Sequence, residues 1–189
     1  MSRPAAPAQT YDQIAFSVDL VEACRRELDF LVDVDGHRSL TGRGPVVRRA
    51  IRRYEECWLP LAARHQSTAP AKSRSALAPA VDVHWIWHCH MLAPYSYQSD
   101  VTRLVGRVVD HRLMTRGELE QARSRTRALW NAAYPHEPFD VDLGSAAELL
   151  QCLDDGDAGA DATADYASQC GYDIEAAVER QSKFYYQVC

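Results

Sequence analysis

Apolar positions recur along most of this chain with the period of a helix. The stretch YDQIAFSVDLVEACRRELDFLV places Ile14, Val18, Val21, Leu28, Leu31 and Val32 along one stripe, with Arg and Glu on the other side. The glycines of DVDGHRSLTGRG interrupt it. Pro45 then sits where a first helical turn accepts proline. The following VVRRAIRRYEECWLPLAARH puts Val47, Ala50, Ile51, Tyr54, Cys57, Trp58 and Leu61 on one face, and Pro60 is expected to kink or shorten that helix. STAPAKSRSALAP reads as a polar connection. Pro94 opens a further helical pattern through Tyr97, Val101, Leu104, Val105 and Val108. In TRGELEQARSRTRALWNAAY, Thr115 with Glu118 three residues later is the capping-box arrangement, and the helix should end before Pro135.

YPHEPFDVDLG reads as loop, SAAELLQCL as a short helix, and DDGDAGADATADYASQ as an acidic, mobile loop. The last segment spaces Ile174, Ala177, Val178, Gln181, Phe184 and Tyr185 helically. Few segments alternate with a period of two. The expectation is therefore an all-α, single-domain bundle of about six helices over 13–189. A disordered tail at 1–12 precedes it, and the mobile acidic loop occupies 154–170.

Composition narrows the function classes. At 189 residues, 47% hydrophobic and 25% charged, the chain is an ordinary globular sequence, long enough to bury a core without disulfide staples. A formal charge of −5 gives no electrostatic reason to expect nucleic acid. The basic clusters RRAIRRYEE and RSRTRALW read as solvated helix faces. MSRPAAPAQT has no apolar signal region, and no apolar run approaches the ~20 residues of a membrane span, so a cytoplasmic protein is expected. The 6 cysteines are scattered without a C-x-x-C pair and read as small core residues.

The chemistry concentrates in VDVHWIWHCHML, Val81 to Leu92. As a strand, Asp82, His84, His88 and His90 would share one face, a donor set that suits a divalent transition metal. As a helix, His84 and His88 lie one turn apart at the i,i+4 spacing of helical zinc sites, and His90 points elsewhere. Pro79, Pro94 and the helical surroundings favour helix. Cys89, flanked by two histidines, lacks a partner on either geometry. The Asp run at 154, 155, 157, 161 and 165 lacks the residue order of a calcium loop.

DVHWIWHCHMLAPYSYQSD resembles the W-x-W-H-x-H-x-L-x-P-x-x-Y-x-x-D block of the plant glycine-rich-domain-protein family and its bacterial and fungal relatives. YPHEPF and AAVERQSKFYYQV support the resemblance, which runs from about residue 15 to the C-terminus. It covers Asp82, Trp87, His88, His90, Pro94, Tyr97 and Asp100, whereas His84 departs from the pattern. With 9 Gly in all, the chain lacks the glycine-rich extension of plant members. The resemblance implies architecture more than chemistry.

Two functional readings follow. In the first, His84, His88, His90 and Asp82 bind a divalent metal such as zinc, iron, copper or manganese. The catalytic set is then His88, His90, Asp82, Glu137 and Arg180, acting on a small molecule by Lewis-acid or general acid–base chemistry. Asp100, His111 and His136 are further remote candidates, while His37 and His65 read as idle. In the second, the His/Trp segment is the structural core of a non-catalytic interaction domain.

Overall fold

The computed structural model describes residues 16–68, 75–143 and 166–188. These residues form six helices and no strand. Helix α1 is Leu20–Asp35, started by Asp19, whose carboxylate accepts the Glu22 N–H at 3.0 Å. Helix α2 runs continuously through Pro45–Arg53, a π-helical turn at Tyr54–Trp58, and Leu59–Thr68. Helix α3 is Val81–Met91, α4 is Pro94–Val105, α5 is Arg116–Ala133 and α6 is Ile174–Val188. The tail at 1–12, the short helix expected at 145–153 and the acidic residues 154–165 lie outside the described residues. No described helix is long and apolar enough to cross a membrane.

Helix α3 is the hub, touching α1, α2, α4 and α6. Its Asp82, Val83, His84, Trp85, Ile86, Trp87, Cys89 and His90 are all buried, as expected of a helix with neighbours all round. Helical geometry wins over the alternating pattern because the segment is a buried axis rather than half of a sheet. Its tryptophans act as polar staples as well as apolar bulk. Trp85 Nε1–H donates to the Leu40 carbonyl at 2.9 Å. Trp87 Nε1–H donates to Tyr97 Oη at 2.9 Å, and Tyr97 in turn donates to the Val109 carbonyl at 2.5 Å.

Local signals set the helix ends. Thr115 and Glu118 form the reciprocal capping box. Gly106, at φ 75°, closes α4 in the left-handed conformation that glycine adopts without penalty. The face expected on α2, from Val47 to Leu61, is buried throughout.

Two expectations are corrected. On α1 the buried residues are Phe30 and Val34, whereas Val21, Leu28 and Val32 are more than half exposed. The apolar stripe was broad enough to face either way, and the Phe30 ring decides by packing against His84, Trp85 and His88. Pro60 does not break α2. A proline lacks its N–H and crowds the carbonyl one turn back, and the chain accommodates it by widening the preceding turn. The Leu59 N–H then reaches the Tyr54 carbonyl five residues back.

Candidate functional site

Helix α3 sends its polar groups into three separate surroundings, so the four donors expected on it do not converge. Asp82 accepts from Arg53 Nε at 2.8 Å, with both side chains almost fully buried. Burial pushes the Asp82 carboxyl up and the adjacent guanidinium pulls it down. The remaining Arg53 nitrogens donate to Glu137 at 2.5 Å and to the Pro138 and Phe139 carbonyls at 2.6 and 2.7 Å. Arg49 and Arg52 also donate to Glu137, at 3.2 and 3.0 Å. Burial raises the Glu137 pKa, but its arginine partners outweigh that and hold it below the usual value. The two carboxylates expected in catalysis are therefore occupied in clamping YPHEPF and α3 onto α2.

His84 and His88 form the second surrounding. The His84 ring lies 4.4 Å from Phe30 and 5.9 Å from His111. His88 stacks on Trp85 at 5.5 Å, with Nε2 3.4 Å from a Glu27 carboxylate oxygen. Burial lowers the pKa of both, that of His88 to about 4. Phe30 packs against both imidazoles, and no three donors gather here among the described residues. The i,i+4 pair is thus built into the aromatic core, and the four-residue metal set anchored on it is corrected.

His90 stands apart. It is fully buried, its Nδ1 lies 3.0 Å from Tyr54 Oη, and its ring stacks on Tyr172 at 5.7 Å with planes 6° apart. Its Nε2 has no hydrogen-bond partner, and the nearest carboxylate oxygen, Asp100 Oδ2, is 3.6 Å away. Burial lowers the His90 pKa to about 4, against the opposing pull of Asp100 and Glu55, so the ring is neutral near pH 7. Nδ1 shares its hydrogen bond with Tyr54, and Nε2 faces the Asp100 carboxylate. Cys170 completes the group: one donor atom from each of His90, Asp100 and Cys170 lies within 4.8 Å of the others.

Asp100 and Cys170 are brought here by residues 166–173, which cross over α2 and α4 as a strap. Asp100 accepts the Gly171 and Tyr172 N–H groups at 2.9 and 3.1 Å, and Arg103 at 3.1 Å. Burial raises the Asp100 pKa, yet these donors hold it below the ordinary value. A Cβ on Gly171 would stand 3.3 Å from Asp100 Oδ1, so glycine lets the backbone come close. The other anchor is Glu55, which accepts from the Tyr166 and Ser168 hydroxyls and from the Gln169 and Cys170 N–H groups. Residues 166–170, included in the acidic loop expected from sequence, are thereby fastened to the core.

The π-turn explains the geometry. Four of its five residues, Tyr54, Glu55, Cys57 and Trp58, are buried, more than one face of a regular turn presents. Widening the turn points both Tyr54, toward His90, and Glu55, toward the strap, into the molecule. Replacing Glu55 by Ala is expected to destabilise the fold by about 1–3 kcal/mol by stranding its donors. It should also speed amide exchange at Gln169 and Cys170. Unchanged exchange at those two amides would refute the anchoring role.

Among the other candidates, Arg180 donates to Tyr172 Oη at 3.0 Å and so reaches the ring stacked on His90. His111 approaches His84 and Trp87, while His136 is exposed. Cys89 is buried, its thiol pushed far up by burial, which denies it thiolate character. Sequence reasoning missed Cys170 and Glu55. The cysteine sits in an unpatterned SQCGYD, and the glutamate is one of two in a charged helical run. Tyr97 and Asp100, spaced from His90 in the block quoted above, were the legible signal.

Comparison with known proteins adds a family. The family model described as glycine-rich domain-containing protein-like matches residues 3–100 and 96–189. The chain is 39% identical over 177 residues to glycine-rich domain-containing protein 1 of Arabidopsis thaliana, covering 93% of this chain and 20% of that protein. It is 38% identical to glycine-rich domain-containing protein 2 of the same plant, covering 93% and 21%. The chain thus spans about one fifth of the length of the relatives it matches. No solved structure matches.

Proposed function

This chain belongs to the glycine-rich domain-containing protein-like family, and from that footing we propose that its helical domain is a metal-dependent enzyme acting on a small molecule, with His90, Asp100 and Cys170 as the metal ligands. The observation that carries the reading is the meeting of an imidazole, a carboxylate and a thiol within 4.8 Å, at an imidazole nitrogen that is buried and unpartnered. Tetrahedral zinc sites place their donors about 3.5 Å apart, so a small closure of this group suffices. A neutral imidazole whose second nitrogen is held by a hydrogen bond is the usual state of a histidine ligand, and Tyr54 supplies that bond. Burial and Glu55 raise the thiol pKa strongly in the free protein. A bound cation reverses that balance by favouring the thiolate. Glu55 and Asp100 together make the surroundings anionic.

Three protein ligands leave a coordination position for substrate or water, the arrangement of catalytic rather than structural zinc sites. The metal would supply Lewis-acid chemistry. Beside the ligands, an open cleft of about 550 Å³ shares Asp100 and Tyr172 with the site.

Elemental analysis of untagged protein tests the reading. About one equivalent of zinc, iron, copper or manganese is expected, lost in His90→Ala and in Cys170→Ser and kept in His88→Ala. Failure to retain any of these ions after reconstitution would sink it. A second reading, a non-catalytic interaction domain, draws on one observation, the exposed Val21, Leu28 and Val32 on α1. It requires no metal, so the same measurement separates the two.

A further inference from the structure

An imidazole binds a metal well only when its ring is held in one orientation, which is the task of groups outside the ligands themselves. His90 is held by three tyrosines. Tyr54 Oη hydrogen-bonds with its Nδ1 at 3.0 Å, and the Tyr97 ring meets it edge-on at 5.2 Å. The Tyr172 ring lies parallel to it at 5.7 Å, with the planes 6° apart. Tyr54 and Tyr97 are buried in α2 and α4. Tyr172 differs in belonging to the strap, two residues beyond Cys170.

The same residue reaches Asp100 through its backbone. Asp100 Oδ1 accepts the Gly171 N–H at 2.9 Å and Arg103 Nη2 at 3.1 Å, which engages both of its lone pairs. Oδ2 accepts the Tyr172 N–H at 3.1 Å and stands 3.6 Å from the unpartnered His90 Nε2. One lone pair is left on Oδ2, the oxygen nearer the imidazole. Tyr172 therefore meets His90 with its ring and Asp100 with its N–H, and the chain ties both contacts to Cys170. Its hydroxyl is engaged elsewhere, accepting from Arg180 Nη2 at 3.0 Å.

We propose that Tyr172 is the positioning residue of the metal centre: its ring fixes the plane of the His90 imidazole, and its N–H turns Asp100 so that Oδ2 alone is offered to the ion. The inference rests on the reading of His90, Asp100 and Cys170 as the metal ligands. It makes Asp100 a one-oxygen ligand. It also gives the strap a second role besides carrying the thiol, because the stack moves with the segment that holds Cys170. Groups that orient a ligand without touching the metal typically change metal affinity by about 10–100-fold. Aromatic pairs favour offset parallel packing with centroids about 4.5–7 Å apart. Phenylalanine supplies that packing as tyrosine does, whereas leucine fills space without a flat face.

The test is a cobalt(II) titration of the full chain, with affinity measured by competition against a chelator and the visible absorption bands recorded at saturating cobalt. The wild-type chain is expected to take up about one equivalent. Tyr172→Leu keeps the backbone N–H and removes the ring, and should bind cobalt at least ~10-fold more weakly with displaced bands. Tyr172→Phe should restore the wild-type bands and an affinity within about three-fold, since the stack needs no hydroxyl. Bands recorded at saturation report the ligand field around the ion, which a change in folding stability alone does not move. Equal affinity and identical bands in wild type and Tyr172→Leu would overturn the positioning role and leave the ligand set standing, as would a loss in Tyr172→Phe as large as that in Tyr172→Leu. No cobalt uptake by the wild-type chain would overturn both readings, so the two failures are distinguishable.

Discussion

Replacing Arg53 by methionine is expected to cost about 3–5 kcal/mol of stability, the typical loss when one partner of a buried ion pair is removed. The magnitude follows from what is left behind. Asp82 would remain almost fully buried with its Oδ2 partner gone, its Oδ1 being unpartnered already. Glu137 and the Pro138 and Phe139 carbonyls would lose their shared donor, and the Trp130 ring would lose the guanidinium 5.0 Å above it. Domains of this size have total stabilities of about 5–15 kcal/mol, so the variant should sit near the edge of folding. Arg53→Lys should recover little, because a single ammonium cannot reach the carboxylates and both carbonyls as a planar fork does.

Urea denaturation of the single variants and of the double variant Arg53→Met/Asp82→Leu makes the comparison. The double variant should regain part of the loss, since it removes the stranded charge as well as its partner. A single-variant loss below about 0.5 kcal/mol would mean that Asp82 is not held as a buried ion, which would reopen a catalytic role for it.

The second large effect is acid lability beginning well above the carboxylate range. Burial lowers the pKa of His84, His88 and His90 in the folded chain. For His88 the folded value is about 4 against an ordinary 6.5. The sign is fixed by which state binds protons first. Between those two values the unfolded chain is protonated and the folded chain is not, so stability falls as pH drops from 6.5 toward 4. Above 6.5 the contribution is complete, and below about 4 the loss has reached its limit. For His88 alone the interval corresponds to about 3 kcal/mol. The His84 shift adds in the same direction.

Glu137, held below its ordinary 4.5 by its arginines, contributes stability that is present above 4.5 and lost as pH falls through its lower folded value. Two stages are therefore expected in a plot of unfolding midpoint against pH, the imidazole stage first. His88→Phe should shrink the first stage, leaving the His84 and His90 contributions, and leave the second in place. A midpoint constant from pH 7 to 5 in the wild-type chain would show that these imidazoles are not held neutral in the core.

The helical bundle was legible because its signals are local. Thr115 and Glu118 satisfy each other within one turn of α5, and Pro45 and Pro94 each open a helix without needing a partner elsewhere. The Val47 to Leu61 face of α2 is apolar on one side only, so its direction followed from the pattern. On α1 the apolar residues spread over two sides, and long-range packing of Phe30 chose between them. His90 and Asp100 were also visible together, as members of one spaced block.

Their partners were not. Helical geometry alone says that His84, His88 and His90 point in different directions; it does not say what each meets. Glu27 and Phe30 on α1, Tyr54 in the π-turn and Tyr172 in the strap decide that, from positions far away in the chain. Cys170 is the clearest case, 80 residues beyond His90 in an unpatterned stretch. Its place depends on the Glu55 carboxylate, turned inward by a local widening of α2, and on the close approach that Gly171 permits. By itself the sequence marked most of the described helices and several of their ends, and favoured a helix for the segment that carries the imidazoles. Tertiary structure decided which imidazole meets a carboxylate and a thiol and which packs among aromatic rings, because donor convergence is set by contacts between elements, and periodicity within an element carries no record of them.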